Sequence, residues 1–273
     1  MTHSARDIHK GLWIGLLGIV IFSVTLPMTR LAVGTPDAPQ MSGFFIAFGR
    51  AVVAAALSAA FLLATHAPLP RRDDWVPLAI TAGGVVFGFP LFTSVAMRYV
   101  EAVHASVIVG VLPLATAAVG AFLHRQRPSR GFWLCADLLL LAAMLCAAVG
   151  YGFGARLSHH MRAEHVICWA LLIALPLTLP LSIVTWPTAP LKASAWWGFG
   201  YVAVFSMWLG FFAWYRGLAL GGTVRVSQVQ LVQPFLSMLF AVPLLGERLD
   251  LVTVGFGLAV IATVFIGKKM PVR

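Results

Sequence analysis

A chain of 273 residues that is 60% hydrophobic and only 10% charged, with a mean hydropathy of +0.91, falls far outside the soluble range of about a quarter charged residues, which excludes a water-soluble globule. Its net charge of +10 would suggest nucleic acid in a soluble protein, but most Lys and Arg lie between apolar stretches, as in cytoplasmic loops.

The N-terminus passes from Met1–Lys10 into an apolar run with no small-residue cleavage site after it, so it reads as an uncleaved first helix. A hydrocarbon core about 30 Å thick needs about 17 to 25 apolar residues of helix. Nine such runs follow in order: Gly11–Thr29, Gly43–Thr65, Trp75–Met97, Val103–Leu123, Phe132–Gly154, Val166–Trp186, Ala195–Tyr215, Val226–Leu245 and Leu251–Gly267. Their connections are short, as in Thr35–Pro39, Ala67–Asp74 and Pro187–Lys192, which leaves no inserted soluble domain. Helix is the predicted state, because a lipid-facing backbone must satisfy its own hydrogen bonds and the runs lack the alternation of barrel strands. The pairs Gly11/Gly15, Gly84/Gly88, Gly150/Gly154 and Gly217/Gly221 have the small-xxx-small spacing that lets helix backbones approach. Cys135, Cys146 and Cys168 lie inside runs and fit neither a disulfide framework nor a metal-ligand spacing, so they are assigned to packing, and no metal or cofactor is predicted.

Two stretches repeat at a constant offset of 121. Ser106–Pro113 with Gln126-Arg127 matches Ser227–Pro234 with Glu247-Arg248, and the aromatic-rich segments Val86–Met97 and Val204–Tyr215 fall at nearly the same spacing. A helix with Ser, then Pro near its middle, closing in Gly246-Glu247-Arg248-Leu249 before a Gly-rich last run, resembles the EamA-type branch of the drug/metabolite transporter superfamily. Leu112–Ala117 running on to Arg127-Pro128-Ser129, and Arg50 inside the second run, resemble the matching parts of its first half. The resemblance covers nearly the whole chain. It implies an all-α integral membrane protein of two inverted repeats, here 1–130 and 131–273, with both ends cytoplasmic and a central cavity for small metabolites.

The family norm is ten helices and nine runs are present, so one helix is missing near 131–137, where Gly131-Phe132-Trp133 resembles the entry to the fifth helix and Asp137–Leu157 resembles the sixth. With the family's layout, Lys and Arg divide 14 inside to 4 outside, the four being Arg30, Arg98, Lys192 and Arg248; nine simple crossings would give 9 to 9. The bias returns if Phe132–Gly154 is re-entrant or interfacial, and that segment is expected to be the anomaly of the chain.

Polar groups at bilayer depth are costly and mark candidate sites. Ser227, Gln230, Gln233, Pro234 and Ser237 share one stripe of the eighth run, where amides can bind the polar end of a solute. Arg50 is a candidate for a carboxylate or for a structural pair, and Ser106 is the repeat counterpart of Ser227. Trp208 and Phe212 lie i, i+4 on one face and can stack on a solute, whereas Trp214 and Tyr215 are assigned to the interfacial belt. Pro113 and Pro234 occupy matched positions and each leaves a backbone carbonyl without its usual donor, which suits a helix break or hinge. His104, His124, His159, His160 and His165, at run ends or in loops, are expected to be solvated, as is Asp137.

The expected function is a secondary transporter of a small metabolite, amino-acid-like or otherwise amphipathic, exporting it across a bacterial inner membrane by alternating access. The alternative is a helix-deleted, transport-inactive membrane protein with a structural or interaction role. An enzyme is disfavoured by the absence of His-Glu-x-x-His or a convincing Ser/His or Asp pair in the sequence. The implied partners are a small solute and the bilayer, without nucleic acid, and a homodimer is left open.

Overall fold

The structure is a computed structural model that describes the backbone of residues 5–110, 133–222, 226–247 and 255; side chains are described for 6–106, 108, 138–222, 226–247 and 255. Among these residues the chain is all-helical, with one isolated antiparallel bridge between Gly34 and Pro39. The helices are α1 (Arg6–Val33), α2 (Gly43–Ala64), α3 (Arg72–Ala96), α4 (Ala102–Gly110), α5 (Trp133–Leu157), α6 (Ala163–Val184), α7 (Ala193–Gly221) and α8 (Gln228–Leu245). Seven helices among the described residues are long and apolar enough to cross a membrane. The chain is an all-α, multi-pass membrane protein. Most of run Val103–Leu123, the start of run Phe132–Gly154, nearly all of Leu251–Gly267, and with them Pro113, His124, Arg125–Arg130 and Arg248, lie outside the described residues.

The helices pack in pairs that exchange partners between the two halves. Helix α1 runs antiparallel to α7: Gly11 faces Gly221, Thr25 reaches Ser206, and Gly198 sits on Met28. Its counterpart α5 runs antiparallel to α3, with Gly150 against Gly84 and Cys146 against Gly88. Helix α2 packs on α6, from Phe61 on His165 at one end to Phe45 on Trp186 at the other, and α4 packs on α8. The glycine pairs meet at these contacts: a Cβ on Gly217 would lie 2.7 Å from the Gly15 nitrogen, and one on Gly84 would lie 2.9 Å from the Gly150 nitrogen. Only glycine allows that approach, and in lipid such packing contributes association that hydrophobicity cannot.

Charge separates the two ends. Arg6, Lys10, Arg71, Arg72, Arg156, Arg162 and Arg216 lie at one end, called here the basic end, where His160 Nε2 meets Asp74 Oδ1 at 2.7 Å and Arg216 pairs with Glu164 at 2.9 Å. Arg30, Arg98, Lys192, Glu101 and Glu247 lie at the opposite end. The opposite end is stitched by backbone capping. Arg30 donates to the carbonyls of Met97 and Arg98 at 2.6 and 2.7 Å, Arg98 donates to Met41 at 2.8 Å, and the two Glu247 oxygens accept from Ala102 and Val103 at 2.9 and 2.8 Å. Burial pushes the Glu247 carboxyl above its ordinary value, with the two backbone donors acting against that shift.

Several expectations are corrected. Helix α5 is neither re-entrant nor interfacial. Leu140 and Met144 pack with Ala102 and Val103 towards the opposite end, Gly150 packs on Val85, and the helix ends beside the basic-end pair His160 and Asp74. Helices α4 and α5 therefore both start at the opposite end. Trp214 and Tyr215 are fully buried, not interfacial, because α7 continues to Gly221 and places both inside the bundle; the Tyr215 hydroxyl donates to Gly150 O at 3.2 Å. His165 is also buried, in the first turn of α6 and edge-on to Phe61. Cys168 is buried and Cys146 half-buried against Gly88, both as packing residues. The side chains of Cys135 and Asp137 lie outside the described residues.

Candidate functional site

Four breaks in regular helix geometry converge near mid-bundle. The first is in α1, where the α-helix is interrupted at Val24. Pro27 has no N–H for the carbonyl of Ser23, its partner four residues earlier, and the Ser237 hydroxyl of α8 donates to that carbonyl instead at 2.7 Å. The Tyr201 hydroxyl of α7 donates to the neighbouring Ile21 carbonyl at 2.9 Å. Second and third are π-helical turns at Ala82–Gly88 in α3 and Val202–Leu209 in α7, set apart by the repeat offset. Such turns are rare and are frequently found at functional sites.

The fourth break is in α8, where a 3-10 turn over Gln228–Val232 gives way to α-helix at Gln233, directly before Pro234. Pro234 cannot serve the Gln230 carbonyl, and the shorter 3-10 bond from Gln233 N–H takes it up.

Residues at these four breaks line one cavity: Thr25, Val85, Ser206, Met207 and Gln233, joined by Arg50 from α2, Tyr151 from α5, and Phe22, Phe89 and Phe211. Its volume is ≈ 10 Å³, about the room one water molecule needs. Thr25 Oγ1 donates to Ser206 Oγ at 2.9 Å across it. Aromatic rings form one wall: Phe22 stacks on Tyr151 at 6.5 Å and meets Phe211 at 5.1 Å, and Tyr151 lies 5.5 Å from Trp214.

Arg50 is the exceptional member. It is 1% exposed, and its Nε and Nη1 have no hydrogen-bond partner among the described residues. The described carboxylates, Asp7, Asp37, Asp73, Asp74, Glu101, Glu164 and Glu247, sit in loops or at helix ends, and none forms an ion pair with it. A buried cation ordinarily pairs or is not retained, so a guanidinium that faces a cavity with unsatisfied donors marks this cavity as the candidate site.

Of the residues singled out from sequence, Arg50 and Gln233 meet in this cavity. Trp208 and Phe212 do not line it. Their rings, 4.9 Å apart, cluster with Phe61 nearer the basic end. Ser106 is buried in α4 and donates back to Ala102 O at 2.6 Å, away from the cavity. Ser227 and Gln230 are half-buried at the start of α8, and Ser237 supports the α1 break. Sequence reasoning missed Thr25, Tyr151 and Ser206. Only Ser206 carried a signal, since it lies 121 residues after Val85 in the second aromatic-rich segment. A larger cavity of ≈ 590 Å³ opens at the opposite end between Arg30, Gln40, Glu101, Lys192 and Glu247.

Comparison with known proteins gives consistent matches. The family described as EamA-like transporter family matches twice, over residues 9–136 and 134–267. A curated relative, the "uncharacterized transporter YdeK" of Bacillus subtilis (strain 168), is 37% identical over 282 residues, covering 94% of this chain and 96% of that protein. A solved crystal structure is similar with a TM-score of 0.63 at 18% identity, covering 93% of this chain and 96% of its own, which extends the likeness to the fold.

Proposed function

Because this chain belongs to the EamA-like transporter family, we propose that it is a secondary transporter that carries a small amphipathic solute through the Arg50 cavity by alternating access of its two halves. The observation that carries this reading is the unpartnered Arg50 at the point where breaks in four helices meet. Broken helices at mid-membrane are where carriers bind their solutes, because irregular backbone is tolerated there only when it lines a cavity or is buried in protein. Arg50 and Gln233 hold the polar end of the solute, and the wall of Phe22, Tyr151 and Phe211 holds its apolar body. The cavity is closed to about one water in the present conformation, so entry requires the paired helices to separate at one end. The positive-inside rule puts the basic end in the cytoplasm of a plasma membrane, and export is movement from there to the opposite end.

The reading is tested without knowledge of the solute by side-specific labelling. In a chain with Cys135, Cys146 and Cys168 replaced, Ser206→Cys is exposed to a membrane-impermeant thiol reagent in right-side-out and in inverted vesicles. Alternating access predicts reaction from both faces. Reaction from neither would remove the cavity from any transport path.

A further inference from the structure

We infer that the solute is a net monoanion, a carboxylate with an apolar body and no ammonium group, and not a zwitterionic amino acid. The inference rests on the Arg50 cavity being the solute site and specifies its chemistry.

The charge inventory carries it. Among the described residues the cavity wall holds one cation, Arg50, which is 1% exposed with Nε and Nη1 unpartnered by any described group. Its other polar groups, Thr25, Tyr151, Ser206 and Gln233, are neutral. The described carboxylates lie at the bundle ends, Asp74 and Glu164 at the basic end and Glu101 and Glu247 at the other. A carboxylate entering here gains a charge-assisted hydrogen bond and neutralises a buried charge. An α-ammonium would be carried in beside the same carboxylate, within several ångströms of the guanidinium, in a medium far less screening than water. It would lose its hydration without gaining an anionic partner. The aromatic wall offers that ammonium only a ring quadrupole, weaker than the repulsion between two full charges at that range. The single guanidinium also sets the ligand charge: one negative charge balances it, whereas a phosphate dianion leaves an excess.

The test compares matched series that differ only at the α-carbon: phenylpropanoate, phenylpyruvate and phenylalanine, and isocaproate, ketoisocaproate and leucine. Each is titrated onto the full chain in lipid nanodiscs, with binding followed by tryptophan fluorescence and by ligand-induced thermal shift. The expected result is that, in at least one series, the acid and the oxo acid bind about tenfold or more tighter than the amino acid, and that Arg50→Gln loses this preference. An amino acid binding as tightly as its acid in an Arg50-dependent manner overturns the charge assignment and leaves Arg50 as the solute site. Binding unaffected by Arg50→Gln overturns both, and binding by no member of either series overturns the assignment. Monodisperse, cooperatively melting Arg50→Gln protein separates loss of binding from loss of fold.

Discussion

At the scale of single residues, Arg50 and Ser237 show opposite uses of a polar group inside a bundle. Ser237 completes the structure. Its hydroxyl gives the Ser23 carbonyl the donor that Pro27 cannot supply, at 2.7 Å and fully buried. Ser237→Ala leaves that carbonyl without a donor, and the expected cost is about 1–3 kcal/mol, read as a lower melting temperature in detergent. Arg50 leaves its surroundings incomplete: two of its donors have no partner, and burial opposes its charge. The sequence placed Arg50 inside an apolar run and so marked it as costly, but whether a carboxylate paired with it depended on where every other helix put its acids. Tyr151 was hidden for a related reason. It sits in a segment expected to be re-entrant or interfacial, and one tyrosine among apolar residues has no periodic signature.

At the scale of helices, close packing and deliberate irregularity divide the work. The glycine spacings predicted close packing from sequence, and the structure pairs α1 with α7 and α3 with α5 through them. Gly217→Val places a side chain where a Cβ already lies 2.7 Å from the Gly15 backbone, so the two helices must shift apart. The expected cost is about 1–3 kcal/mol, seen as a depressed melting temperature, with Gly200→Val as control because nothing lies within 4 Å of a Cβ there. The irregular turns were less legible. Pro234 announced the break in α8 through the carbonyl it orphans, whereas Pro27, which does the same in α1, was not singled out from the sequence. The π turn of α7 carries no proline within its span, and arises without a signal that residue types alone provide. Helix ends were misplaced by a turn where runs were bounded on hydropathy. The seventh run stopped at Tyr215 and made Trp214 and Tyr215 look interfacial, while α7 continues past Arg216, whose guanidinium reaches out to Glu164.

At the scale of the whole molecule, the repeat offset of 121 pointed to two halves, the family matches twice along the chain, and the described helices pair across the two matched stretches. The charge asymmetry was legible too: the described Lys and Arg segregate as the family layout requires. What failed was the route. Phe132–Gly154 was expected not to cross, because alternation was counted over intact runs, whereas α4 and α5 both set out from the opposite end. A solute-binding arginine at the centre of this bundle, as opposed to a structural one, should separate activity from stability. The decisive measurement compares wild type with Arg50→Met for flux of labelled amphipathic carboxylates and amino acids in proteoliposomes, alongside thermal melting of the same preparations. Flux is expected to be lost while the variant melts at or above the wild-type temperature, since replacing an unpaired buried charge by an apolar side chain relieves its desolvation. A variant that melts lower while retaining flux would contradict it, and would make Arg50 part of the scaffold.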